Sequence, residues 1–236
     1  MAIWGISDLH LGFQVDKPMT IFGPHWAEHP DCIAEAWDQL VTDDDLVLVP
    51  GDNSWAMRLS EADMDLTWID ERPGTKILLK GNHDYWWTSI GRVRAALPSS
   101  LYALQNDVIS IGDYHFAGSR LWDQPGHRGF KASDKKVYLR EIERLKLSLQ
   151  MGQKAVSTHG GELIVLCHYP PFAEDGGSSP YTELIENSGA SLCVYGHLHG
   201  RRARHQARAR EGEIGGVEYR LLSCDLLDFK PVKLRA

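Results

Sequence analysis

Residues 76 to 87 read "KILLKGNHDYWW". The apolar run Ile77-Leu78-Leu79, flanked by lysines and closed by Gly81, reads as a buried strand. An amide, an imidazole and a carboxylate then follow in a row as Asn82, His83 and Asp84. Successive side chains on an extended segment point to opposite sides, so Asn82 and His83 are expected to serve different centres.

The same punctuation recurs along the chain. Short apolar runs bounded by turn residues stand at 2 to 6 ("AIWGI"), 46 to 50 ("LVLVP"), 114 to 118 ("YHFAG"), 162 to 167 ("ELIVLC") and 191 to 196 ("SLCVYG"). Segments of helical period lie between them at 30 to 41, 60 to 71, 86 to 97, 134 to 151 and 180 to 188, with Ser60 and Ser133 placed as N-caps. Alternating strand and helix predicts an α/β layered fold. No repeat, low-complexity linker or shift in composition divides the 236 residues, so one domain over 1–236 is expected. Long loops at 11 to 29, 119 to 133 and 169 to 180 begin near the carboxyl ends of predicted strands, the edge where open α/β sheets bind ligands.

Polar residues out of character with a buried strand gather at those ends. Asp8-Leu9-His10 follows the first, Gly51-Asp52-Asn53 the second, Gly81 to Asp84 the third, and His168 follows "LIVLC". Gly196-His197-Leu198-His199 follows "SLCVY". Asp8 and His10 are two apart, as are His197 and His199, so each pair is expected to project to one side of an extended segment. The glycines before Asp52, Asn82 and His197 allow a sharp turn or a close backbone approach. Asp8, His10, Asp52, Asn82, His168, His197 and His199 over-supply one ion and suit two metals about 3.5–4 Å apart, the arrangement that hydrolyses phosphate esters. Mixed imidazole and carboxylate donors favour Mn, Fe or Zn over Ca or Mg.

This ordered set, Asp8-x-His10, Gly51-Asp52, Gly81-Asn82-His83-Asp84, His168 and Gly196-His197-x-His199, resembles the calcineurin-like metallophosphoesterases. The resemblance implies a four-layer αββα sandwich, two mixed β-sheets flanked by helices, with a dinuclear site at the strand ends. It gives the first metal Asp8, His10, Asp52 and His199, with Asp52 bridging to a second held by Asn82, His168 and His197. A bridging hydroxide would attack a phosphomonoester or phosphodiester in line. His83 matches the family's non-ligand histidine near the leaving group and would act as general acid. Asp84 fits a partner that orients its imidazole and favours the protonated form. Asn53 falls where the family varies and reads as a turn residue. The loops "SWAMRL", "DYWW" and "AGSRLWD" resemble a bacterial branch of uncharacterised phosphohydrolases.

A formal charge of −7, from 32 acidic against 25 basic residues, argues against a non-specific binder of nucleic acid or anionic membrane. The partner expected is a small phosphorylated substrate. Cys32, Cys167, Cys193 and Cys224 form no C-x-x-C pair and read as structural thiols of a reducing cytosol. No apolar stretch reaches membrane-span length, and "MAIWGISDLH" lacks the basic and apolar regions of a signal peptide, so a cytoplasmic protein is expected.

Arg120, just past "FAGS", is placed to bind a phosphate oxygen, with a surface salt bridge as the alternative reading. Tyr85, Trp86, Trp87, Trp122, Phe22 and Trp26 read first as packing, with stacking on substrate as the alternative. The run "GRRARHQARAR" at 200 to 210 reads as a strand or hairpin arm with a solvated charged face, or as a rim steering a large anion. Two other functions compete: a DNA or RNA nuclease using the same site, and a non-catalytic protein-binding scaffold of this fold, as in a retromer subunit. His83 together with a complete ligand set speaks for an enzyme.

Overall fold

The structure, a computed structural model, describes residues 1–200 and 203–236. The chain forms two compact units, residues 1–103 with 222–236, and residues 104–221. The crossings at 103/104 and 221/222 use no linker, so composition carries no trace of them.

The first unit holds β1 (Ile3–Gly5), α1 (His29–Leu40), β2 (Leu46–Val49), α2 (Asp63–Asp70), β3 (Thr75–Leu79), α3 (Ile90–Ala96) and all but the last residue of β4 (Leu101–Leu104). The second runs through β5 (Val108–Ile111), β6 (Tyr114–Ser119), α4 (Asp134–His159), β7 (Glu162–Cys167), α5 (Pro180–Glu186), β8 (Leu192–Tyr195), β9 (Gly212–Ile214) and β10 (Val217–Leu221). The chain then returns to the first unit as β11 (Val232–Arg235). One mixed sheet has the order β11-β1-β2-β3-β4 and the other β5-β6-β7-β8-β10-β9. Two mixed sheets with flanking helices are the α/β class expected from the sequence.

In the first sheet β1, β2 and β3 are parallel neighbours, and β11 pairs antiparallel with β1. Val47, Val49 and Leu78 alternate onto one face and share a core with Ile33 and Trp37 of α1, Leu66 and Ile69 of α2, and Val93 of α3. Leu46, Leu48, Ile77 and Leu79 on the opposite face are buried too. Burial on both faces is why these strands read as unbroken apolar runs. In the second sheet β6, β7 and β8 are parallel neighbours, with β10 parallel to β8.

α4 runs past the predicted stop at 151. Gly152 lies inside it because a Cβ there would meet Leu163 of β7, and the helix ends at Gly160, whose φ of 73° suits glycine. Neither expected N-cap forms. Ser60 sits in a 3-10 turn at Leu59–Glu61, and Ser133 has a helical backbone and no side-chain cap bond. Ser179 caps α5 instead, its Oγ accepting from the N–H groups of Tyr181 (3.1 Å) and Thr182 (3.3 Å).

Lys76, fully buried in β3, donates to the carbonyl oxygens of Asp70 and Arg72 and to Ser100 Oγ, closing the carboxyl end of α2. Burial pulls its pKa down to about 8. Below that value both folded and unfolded chains are protonated and the cost of burying the charge is carried in full. Between about 8 and the unfolded value near 10.4 the unfolded chain holds more protons, so stability rises with pH by up to about 1.4 kcal/mol per unit. Urea unfolding of wild type and Lys76→Met at pH 7 and 9.5 checks this. The difference should move in favour of wild type at the higher pH, and a constant difference would refute the assignment.

Candidate active site

Because β1, β2 and β3 are adjacent and parallel, the loops after them emerge on one edge of the first sheet. Asp8 (fully buried), His10 and Asp52 lie there. None of the three is extended: their φ angles are 61°, 47° and 53°. The two-residue alternation expected of Asp8 and His10 therefore does not position them. Left-handed backbone in a non-glycine residue costs of order 1–3 kcal/mol and persists where surroundings enforce it. Here the enforcing bonds run between the loops: Asp8 N–H to Gly51 O (3.0 Å), His10 N–H to Asp52 O (2.9 Å) and Leu11 N–H to Asn53 O (3.1 Å). Ser223 Oγ donates to Asp8 Oδ2 at 2.9 Å, and Cys224 Sγ to Asp8 O at 3.1 Å. His10 Nε2 stands 3.7 Å from Asp52 Oδ2.

The segment 80–87 bends rather than continuing β3. His83 N–H donates to Asp52 Oδ1 at 2.8 Å, and this contact, not strand parity, turns the loop over Asp52. Gly81 makes the approach feasible, since a Cβ there would overlap Asp52 Oδ1 and N. Gly51, with φ 104°, supplies the sharp turn instead. Gly81→Ala is thus expected to displace Asp52 and lower kcat/KM by about 10²-fold in a folded protein. Unchanged turnover would show that the loop yields without moving the carboxylate.

Asp84 was assigned to orient His83, and its hydrogen bonds go elsewhere. Oδ1 accepts from the N–H groups of Asn53 (2.9 Å) and Ser54 (3.1 Å) and from Trp86 Nε1 (2.9 Å). Oδ2 accepts from Asn53 Nδ2 (2.9 Å) and Gly81 N–H (2.7 Å). Burial and the nearby Asp52 charge push its carboxyl above the usual range, and these bonds oppose that shift. Asp84 is a buried tie between the loops after β2 and β3. Asn53, expected as a plain turn residue, completes it by donating to Leu79 O at 2.9 Å. The ring against His83 is Trp55, centroids 4.3 Å apart, which also stacks on His10 at 4.8 Å. Of the aromatics at 85–87, Trp86 and Trp87 are core, while Tyr85 is exposed beside His83 at 6.5 Å.

In the second unit β6, β7 and β8 are likewise adjacent and parallel, so Arg120, His168 and the pair His197 and His199 follow strands that end on one edge. His168 is fully buried and its ring lies 5.2 Å from that of His197, with nitrogens within 4.8 Å of one another. His197 has φ 73°, so its pairing with His199 is not strand-like either. Tyr169 packs on His197 at 4.1 Å, Trp122 on Tyr169 at 5.2 Å, and the Arg120 guanidinium lies 4.6 Å over Trp122. Arg120 makes no ion pair among the described residues.

From 203 to 210 the arginine run does not form the expected arm. Arg201, Arg202 and the side chain of Arg204 lie outside the described residues. Ala203–His205 is a 3-10 turn. Arg208 pairs with Asp123 at 3.2 Å and Arg210 donates to Gly176 O at 2.9 Å, so these two cations are spent on loop structure. His127 reaches Asp123 (3.3 Å) and Glu174 (3.2 Å) in the same lacing.

The donors suit transition metals. The first unit holds the buried imidazole of His10 and the buried carboxylates of Asp8 and Asp52, and the second holds the buried imidazole of His168; buried carboxylates are costly in a protein interior without a cation. Asp8 and His10 offer ligand atoms within 4.8 Å of one another. Sequence reasoning missed Ser223, Cys224 and Trp55. Ser223 lies 215 positions from Asp8, beyond any local spacing signal. Trp55 was visible beside Gly51-Asp52-Asn53 but carried no metal-ligand chemistry. Among the described residues no helix is long and apolar enough to cross a membrane.

The chain is similar to several known proteins. The gene 66 protein of Mycobacterium phage L5 is 38% identical over 81 residues, 34% of this chain and 39% of that protein. Its counterpart in Mycobacterium phage D29 is 27% identical over 200 residues, 84% of this chain and 79% of that one. Among solved structures, phosphopantetheinyl hydrolase (PptH) from Mycobacterium tuberculosis superposes with a TM-score of 0.50 at 15% identity, covering 94% of this chain and 88% of that one, a likeness of fold. The family model for calcineurin-like phosphoesterase matches residues 1–201, a span that takes in every strand-end residue from Asp8 to His199. The chain belongs to the calcineurin-like phosphoesterase family and is a metallophosphoesterase.

Proposed function

We propose that the protein hydrolyses a small phosphate ester, mono- or diester, by in-line attack of water, the two units acting together as one catalytic domain in the cytosol. The observation that carries this is the gathering of metal-ligand atoms at the strand ends: those of Asp8 and His10 lie within 4.8 Å of one another, as do those of His168 and His197. Asp8, His10, Asp52 and His199 would hold one ion and Asp52, Asn82, His168 and His197 a second, as Mn, Fe or Zn. Bound there, the metals supply Lewis acidity and lower the pKa of water.

The chain's own residues do the rest. Asp52 joins the ligand set to the backbone of His83, so one carboxylate positions both donors and the proton source. His83 gives its proton to the departing alkoxide oxygen as the P–O bond breaks. Arg120, stacked on Trp122 and in no ion pair among the described residues, holds a non-bridging phosphoryl oxygen. The internal bonds of Arg208 and Arg210 weaken the case for a nuclease, since those cations are not presented as a rim.

Nitrophenyl phosphate and bis-nitrophenyl phosphate, assayed with Mn, Fe, Zn and Mg, test the proposal. Metal-dependent turnover of at least one ester is expected. Absence of turnover with all four metals would leave the scaffold reading. Salt-sensitive binding of single-stranded nucleic acid would favour the nuclease.

A further inference from the structure

We propose that the cavity beside His10, built by the 12–30 loop, receives the alcohol part of the substrate, and that this part is a compact apolar group carrying no second negative charge. The inference rests on the hydrolase reading above. The cavity measures about 320 Å³, and among the described residues its lining comes from residues 10–30 of the first unit. That is near the lower end of small-molecule pockets, roughly 300–1,000 Å³, enough for an organic group and too little for a protein segment.

Its walls are pre-formed. His10, Met19, Trp26 and His29 line it and are buried. His29 contacts Trp26 O at 3.2 Å and Leu9 O at 3.0 Å through its two ring nitrogens, joining the loop to the segment that carries Asp8 and His10. Trp26 packs edge-on against His10 (6.2 Å) and Phe229 (5.2 Å), and Trp55 Nε1 donates to Met19 Sδ at 3.2 Å. A flat indole and a thioether make an apolar wall that continues to a proposed metal ligand.

The charges around it point the same way. Among the described residues, exposed Asp16 and Glu28 line the cavity against a single lysine, Lys17, and no arginine. A pocket for a second phosphate or a carboxylate calls for the opposite balance. The excess of carboxylates disfavours nucleoside polyphosphates and phosphorylated acids and accepts neutral or cationic alcohols.

Phenyl, 2-naphthyl and 3-carboxyphenyl phosphates test this with the metal-loaded protein, together with binding of the non-hydrolysable 2-naphthylmethylphosphonate. Wild type should prefer the naphthyl over the carboxyphenyl ester by about tenfold in kcat/KM. Combining Asp16→Lys with Glu28→Gln should shrink that preference by about threefold or more. Thr20→Trp, which fills the cavity from an exposed lining position, should weaken both the naphthyl ester's KM and phosphonate binding by about tenfold. Turnover of all three esters with equal kcat/KM in every variant would overturn the pocket and leave the hydrolase standing. Phosphonate binding that Thr20→Trp abolishes, without turnover of any ester, would support the pocket and overturn the hydrolase. Neither turnover nor binding would overturn both.

Discussion

Asp52→Ala is expected to abolish turnover, by about 10³-fold or more, and to reduce bound metal from two ions per chain to fewer than one. The expected size follows from how many tasks converge on one buried side chain. Its Oδ1 accepts the His83 N–H, its Oδ2 lies 3.7 Å from His10 Nε2, and its backbone carbonyl accepts the His10 N–H. Alanine keeps the backbone bond and loses both carboxylate tasks, so the proposed bridging ligand disappears while the loop after β3 loses its anchor. Metal counted by elemental analysis after dialysis separates these losses from misfolding, with thermal unfolding as the control. Two ions retained at full occupancy would contradict the bridging assignment, whatever happens to activity.

His83→Ala should divide substrates by leaving group. With an alkyl phosphate, whose alkoxide needs a proton as it departs, the loss should be about 10²–10⁴-fold. With nitrophenyl phosphate, whose leaving group departs as a stable anion, activity should stay within about threefold of wild type, and metal content should not change. Equal losses on both esters would remove His83 from the acid role and leave it a positioning residue. The structure alters the account of how the ring is held. Asp84 faces Asn53, Ser54, Gly81 and Trp86, while the indole of Trp55 lies against both His83 and His10. Trp55 thus lies against the His83 ring, and Asp84 ties together the loops after β2 and β3.

Much of this was legible in order of residues alone. The runs "LVLVP", "KILLK" and "ELIVLC" became β2, β3 and β7 because strands buried on both faces must be apolar throughout, and a polar residue straight after such a run has to lie at a strand end. The strands missed were short or half-exposed. β5, whose side chains are all partly or fully exposed, has no apolar run to read. β11, "VKLR", gains its meaning by pairing with β1 across nearly the whole chain. The arginine run misled because its pattern of charge and alanine says nothing of Asp123, which lies 85 positions from Arg208.

By itself the sequence determined which residue types stand at the strand ends, and hence the family and the class of chemistry. Tertiary structure decided their conformations. Strand parity separates neighbours on extended backbone, but Asp8, His10 and Asp52 are held in the left-handed region by bonds between loops distant in sequence, and His197 is left-handed as well. Local propensity disfavours that conformation, so no local pattern could announce it. The same holds for Asp84: its spacing from His83 suggested a partnership, and a buried carboxylate surrounded by backbone N–H groups found better donors across the fold.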